Sequence, residues 1–144
     1  MKTGLVYHPD FLDHDTGLMH PESPARLRAV LTALDRSGLR QSLTAVAPRP
    51  AEKAWLSLVH QPEHLAQIDA ADSQSADGQS ADGQSADGQS GGGLIYLDPD
   101  TPVSPGSRKA ALKAAGGVMA AADKVMAGDL DNAFCLVRPP GHHA

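Results

Sequence analysis

Two adjacent imidazoles, His142 and His143, follow an apolar run and the turn Arg138-Pro139-Pro140-Gly141. Imidazole titrates near pH 6.5, so a pair held in one loop is suited to taking up and returning protons at working pH. The preceding Ala133-Phe134-Cys135-Leu136-Val137 is apolar throughout, the pattern of a strand covered on both faces in a parallel sheet. In open α/β sheets, chemistry gathers beyond the carboxyl ends of such strands. The two prolines bar further strand or helix and Gly141 permits a sharp turn, so a catalytic loop is expected at the sheet edge. The bland alternative for a bare His-His pair is a frayed tail or the start of a purification tag.

Other side chains could join such a site. Arg26 lies in the first turn of a helix, on the flank of its apolar stripe, where an exposed surface cation is the plain alternative. Asp100 sits in Asp98-Pro99-Asp100-Thr101-Pro102, which also reads as an ordinary proline-flanked turn. His8, Asp10, Asp13 and His14 are of metal-ligand type, but their spacing matches no tight site. His60 and His64 fall in a helical region with no convincing partner and read as solvated or packing residues. The single cysteine, Cys135, lies in an apolar run and reads as an inert buried thiol.

The elements that would position these residues can be read in order. Gly4 to Tyr7 forms an opening strand. A helix then begins at Ser23-Pro24, carries Leu27, Val30, Leu31 and Leu34 on one stripe, and stops at Gly38. Leu43 to Val46 is a second strand; Ala51 to Val59 and Pro62 to Asp69 are short helices. Residues 75 to 89 are three copies of Ser-Ala-Asp-Gly-Gln, and the wider segment 72–93 reads as a low-complexity, disordered insertion within one domain spanning 1–144. Three single aspartates spaced by five do not make a calcium cage. Leu94 to Leu97 is extended, Asp98 to Pro102 is loop, and a long helix runs from near Ser104 to Gly128. Its inward stripe is expected at Leu112, Ala115, Met119, Ala122 and Met126, with Gly116-Gly117 packed against a neighbouring backbone. Strands alternating with helices point to a three-layer α/β fold with a mainly parallel sheet.

Composition removes several function classes. With 144 residues, a formal charge of -5 and no basic run, the chain offers no field for nucleic acid or anionic membrane. No stretch reads as a signal peptide or a membrane span, so a cytoplasmic protein is expected. One cysteine excludes an internal disulfide framework.

Four motifs in order, His20-Pro21-Glu22-Ser23-Pro24-Ala25-Arg26-Leu27, Asp98-Pro99-Asp100-Thr101, Ser104-Pro105-Gly106-Ser107 and Arg138-Pro139-Pro140-Gly141-His142-His143-Ala144, resemble the histone deacetylase family. The Arg-Pro-Pro-Gly-His-His form is similar to bacterial and class II members, including acetylpolyamine amidohydrolases and acetoin-utilisation deacetylases. The repeat departs from the family. The resemblance implies an arginase-like fold and zinc-dependent hydrolysis of acetyl-lysine or a related small N-acetyl amide. It implies that His143 is the general base and acid and His142 its partner, though the two roles could be exchanged. It further implies that Asp100 and Gly141 lie on the substrate side, that Arg26 faces inward along a product channel, and that Glu22 and His20 brace the loop and helix start. The family's zinc ligands and carbonyl-polarising tyrosine come after the double histidine. These 144 residues are therefore expected to form the N-terminal part of a deacetylase domain, incomplete at its C-terminus, and to be inactive alone, with zinc bound only in a full-length parent. Its apolar last strand would be an open edge unless another chain covers it, which leaves a homo-oligomer open. The reading from another class is a non-catalytic remnant that serves only for binding or dimerisation.

Overall fold

A computed structural model describes residues 1–18, 20–78 and 93–141; His142 and His143 therefore lie outside the described residues, as does most of the repeat. The central strand is β1 (Thr3–Val6), flanked by β2 (Thr44–Val46) and β5 (Asn132–Cys135) in the order β2-β1-β5, both pairings parallel. The register sets Leu5 beside Ala45 and Phe134, and Val6 beside Val46 and Cys135.

Successive strand residues face opposite sides, and that alternation builds the layers. Leu5 packs in one cluster with Leu27 of α1 (Pro24–Arg36), joined by Val30, Leu31 and Leu34 of the same stripe. Val6 and Val46 pack on the other side with Ala121 of α4 (Ser107–Met126) and with Leu130. Helices thus cover both faces of a parallel sheet, as expected. Ser23 stands at the N-cap of α1 with extended backbone but makes no side-chain capping bond, so Pro24 and the stripe carry that helix start.

The expected inward stripe of α4 is rotated. The buried positions are Ser107, Ala110, Ala114, Gly116, Gly117 and Ala121, while Met126 is exposed. The cause is close approach of backbones: a Cβ on Gly116 would run into the Arg49 carbonyl oxygen and stand 2.8 Å from Ala51 N, and one on Gly117 would stand 2.7 Å from Val6 Cγ1. The Ala51 N–H donates to the Leu112 carbonyl at 2.9 Å, so the segment after β2 is bonded directly to the helix. Small residues therefore take the most buried face, while Leu112 and Met119 are half-buried, and the close packing of the glycine pair is as expected.

Three further expectations are corrected. Helix α3 (Pro62–Ala76), preceded by the short α2 (Lys53–Leu56), continues past Asp69 into the segment read as disordered, because Ala71 and Ser75 are buried beneath it. The proline-rich loop ends in a strand, β4 (Pro102–Val103), antiparallel to β3 (Ile95–Tyr96), with Pro102 at the first strand position where a missing N–H is tolerated. Strand β5 is not covered on both faces among the described residues: Phe134 remains 46% exposed.

Gly116→Ala should destabilise the chain by at least about 2 kcal/mol in urea unfolding, since its new methyl meets backbone rather than a yielding side chain. Gly4→Ala, whose Cβ meets the end of the Leu130 side chain at 2.6 Å, should cost less.

Candidate functional site

The turn after β5 is held by one guanidinium. Arg138 is 1% exposed. Its Nε donates to Glu22 Oε1 at 2.6 Å and its Nη2 to Glu22 Oε2 at 2.8 Å, a bidentate pair; its Nη1 donates to the carbonyls of Phe11 at 3.0 Å and His14 at 2.8 Å. Three segments distant in sequence meet there: the loop after β1, the approach to α1, and the turn Pro139–Gly141. The Arg138–Pro139 peptide bond is cis and Gly141 has φ +70°, a backbone that suits glycine.

Around this clamp lie further polar groups. His14 Nδ1 is 2.7 Å from Ser107 Oγ, and His14 Nε2 is 3.8 Å from Glu22 Oε2. Thr16 Oγ1 donates to the Glu22 carbonyl, and His20 Nδ1 lies 3.0 Å from the same oxygen. His20 Nε2 reaches Asp100 Oδ1 at 3.3 Å, linking the approach to α1 with the loop before β4. Asp98 accepts from the Asp100 N–H at 2.9 Å and from Thr101 Oγ1 at 2.6 Å, which shapes that loop.

A cleft of about 340 Å³ opens over these residues, lined by His20, Glu22, Asp98, Asp100 and the turn Pro139–Gly141. It lies beyond the carboxyl ends of β1 and β5, where the sequence reading expects chemistry. A larger cavity of about 470 Å³ shares the same turn, but it has a single carboxylate, Asp69, which is bonded to Arg108. The smaller cleft is the candidate site, because three carboxylates and several imidazoles converge on it.

The Histone deacetylase domain model matches residues 20–144. This chain belongs to the histone deacetylase family. It is 36% identical over 145 residues to Histone deacetylase 5 of Arabidopsis thaliana, covering 99% of this chain and 20% of that protein. It is 37% identical over 124 residues to the Histone deacetylase-like amidohydrolase of Pseudomonas aeruginosa, covering 86% of this chain and 28% of the other. The crystal structure of the HDA15 HD domain superposes with a TM-score of 0.82 at 29% identity, covering 99% of this chain and 36% of that one. The chain therefore spans about a fifth to a third of the length of these relatives, and its α/β architecture is part of the arginase-like deacetylase fold.

Of the deacetylase residues anticipated from sequence, Asp100 and Gly141 line one cleft, and His142 and His143 lie outside the described residues. Arg26 is a correction. It does not face inward: its side chain is 59% exposed and meets Glu22 Oε1 at 3.4 Å. Leu27 takes the inward position of that turn, and the Glu22 carboxylate is already filled by Arg138. Glu22 does brace the helix start, though through a buried arginine rather than through the helix end.

The role of Arg138 as site builder is not visible in the sequence, because its carboxylate partner Glu22 lies 116 residues away. His60 and His64, read as solvated or packing residues, line the cleft with ring centroids 5.1 Å apart; their spacing of four was the available signal. In the N-terminal cluster, Asp10 pairs with Lys113 at 2.5 Å and Lys109 at 3.0 Å, and the Lys113 bond holds its carboxyl down at about 2. Among the described residues no group of three or more His, Cys, Asp or Glu could hold a metal, and no helix is long and apolar enough to cross a membrane. Burial raises the Cys135 thiol, in keeping with an inert side chain.

Electrostatics follow from this packing. Burial, then the nearby Arg138 charge, lowers His14 from about 6.5 to about 4, keeping the ring neutral. Burial alone would raise Glu22, but the hydrogen bond and charge of Arg138 outweigh it and the carboxyl is lowered. Both depressed groups stabilise the fold above their unfolded values and lose that contribution as pH falls. Urea unfolding should therefore show a loss on the order of 3 kcal/mol as pH drops from about 6.5 to about 4, from His14, and a further loss below about 4.5 from Glu22. A His14→Gln variant should flatten the first interval; stability constant across it in the wild type would contradict the burial argument.

Proposed function

We propose that this chain forms one wall of the catalytic site of a zinc-dependent deacetylase that hydrolyses acetyl-lysine or a related small N-acetyl amide. The observation that carries the reading is the cleft: Asp100 and Gly141, the sequence neighbour of His142, line one space of about 340 Å³ above the ends of β1 and β5. Family membership supports amide hydrolysis as the reaction class. Among the described residues no group of three or more His, Cys, Asp or Glu is placed to hold a metal; in this reading the chain's part is to move protons and hold substrate.

In this reading His143 takes the proton of the attacking water and returns one to the departing amine, while His142 holds the water; the two roles can be exchanged. Asp100 accepts hydrogen bonds from the substrate's N–H groups at the cleft mouth, and Gly141 lets substrate approach the backbone closely. The 144 residues alone are inactive. The natural partner is an acetylated lysine or small N-acetylated compound, with neither nucleic acid nor membrane required.

Zinc titration with an acetyl-lysine peptide tests this. The chain alone should give no turnover, while the full-length protein should deacetylate the peptide and lose roughly 10²–10⁴-fold in kcat on His143→Ala. Asp100→Ala should chiefly raise KM. Zinc-dependent turnover by the 144 residues would overturn the inactivity, and full activity after both His142→Ala and His143→Ala would overturn the assigned chemistry.

A further inference from the structure

His14 is held at both edges of its ring: Nδ1 is 2.7 Å from Ser107 Oγ, and Nε2 comes within 3.8 Å of Glu22 Oε2, a close approach rather than a hydrogen bond. Ser107 Oγ in turn accepts from the Ser104 N–H at 2.8 Å, and Ser104 Oγ accepts from the Asp15 N–H at 2.7 Å. No buried side-chain nitrogen or oxygen among the described residues lacks a partner.

We propose that His14, held in place by Ser107, is a positioning residue of the deacetylase: it keeps the Glu22 carboxylate seated on Arg138 and so fixes the Pro139–Gly141 turn that precedes His142 and His143 in sequence. The inference rests on the catalytic reading above and goes beyond it. Two separate arms from one residue reach the clamp. The carbonyl of His14 accepts from Arg138 Nη1 at 2.8 Å, and its ring lies against the carboxylate that grips the other edge of the guanidinium. A neutral ring suits this task. It offers Glu22 a dipole, whereas a full cation there would compete with Arg138 for the same oxygens. The charged and titratable neighbours of the ring are Glu22, Arg138, Asp15 and His20; burial, aided by Arg138 and His20, outweighs Glu22 and Asp15 and keeps it uncharged. His14 and Ser107 also line the cleft, so the relay spans from the start of α4 to the turn.

Two substitutions separate the arms. His14→Asn keeps an acceptor near Nδ1 for Ser107 and loses the contact with Glu22; His14→Gln reaches the Nε2 position and keeps it. In the full-length protein, His14→Asn should lower kcat roughly tenfold or more with KM within about threefold, since a displacement of about 1 Å remote from the chemistry can cost two orders of magnitude. His14→Gln should stay within about fivefold of wild type, and Ser107→Ala, which removes the hydrogen bond that anchors the ring, should fall between. In the 144-residue chain, the Arg138 Nε–H resonance should be protected from exchange in wild type and His14→Gln and lose protection in His14→Asn. Equal effects of the two His14 variants, or lost stability with kcat unchanged, would overturn the positioning role. Absence of turnover in the wild type would strike the deacetylase reading instead, leaving the Arg138 resonance to decide this one.

Discussion

The buried ion pair between Arg138 and Glu22 is the constraint on which the rest of the site depends. Removing two charges from water costs several kcal/mol per ion, and such a pair is tolerable only when geometry and further hydrogen bonds compensate. Here both carboxylate oxygens meet guanidinium nitrogens, and two backbone carbonyls take the remaining edge. What the clamp contributes is geometry. It ties the loop after β1 and the approach to α1 to the turn that follows β5, so that a cleft lined with carboxylates and imidazoles opens where the strands end.

The clamp works because the scaffold beneath it is rigid for a separate reason. Helix α4 lies so close to β1 and to the Pro48–Ala51 segment that only glycine and alanine fit the contact. That proximity brings Ser104 and Ser107, at the start of the helix, against His14 and Asp15. Backbone approach on one face of the sheet thereby becomes polar registration at its carboxyl end.

Much of this architecture was legible in the sequence, and the failures have physical causes. Helix α1 could be read because its stripe repeats at helical spacing, and β1 because it is short and apolar. The buried face of α4 could not, because hydrophobicity favours Leu112 and Met119 whereas close backbone contact favours Ala110, Ala114 and Gly117. Arg26 was expected inward and Arg138 was overlooked for one reason: pattern shows that a buried arginine needs a carboxylate, but not which of two arginines Glu22 will accept. His14, read as one of a loose set of metal-type ligands, is instead bound to a serine 93 residues away, a pairing no local signal announces.

The central claim is that Glu22 and Arg138 act as one buried unit, and a double-mutant cycle with Glu22→Gln and Arg138→Met, read by urea unfolding at pH 7, tests it most directly. Arg138→Met alone should cost about 3–5 kcal/mol by stranding a buried carboxylate, and the double variant should recover much of that loss. A coupling energy near zero, with the two losses simply additive, would contradict the account.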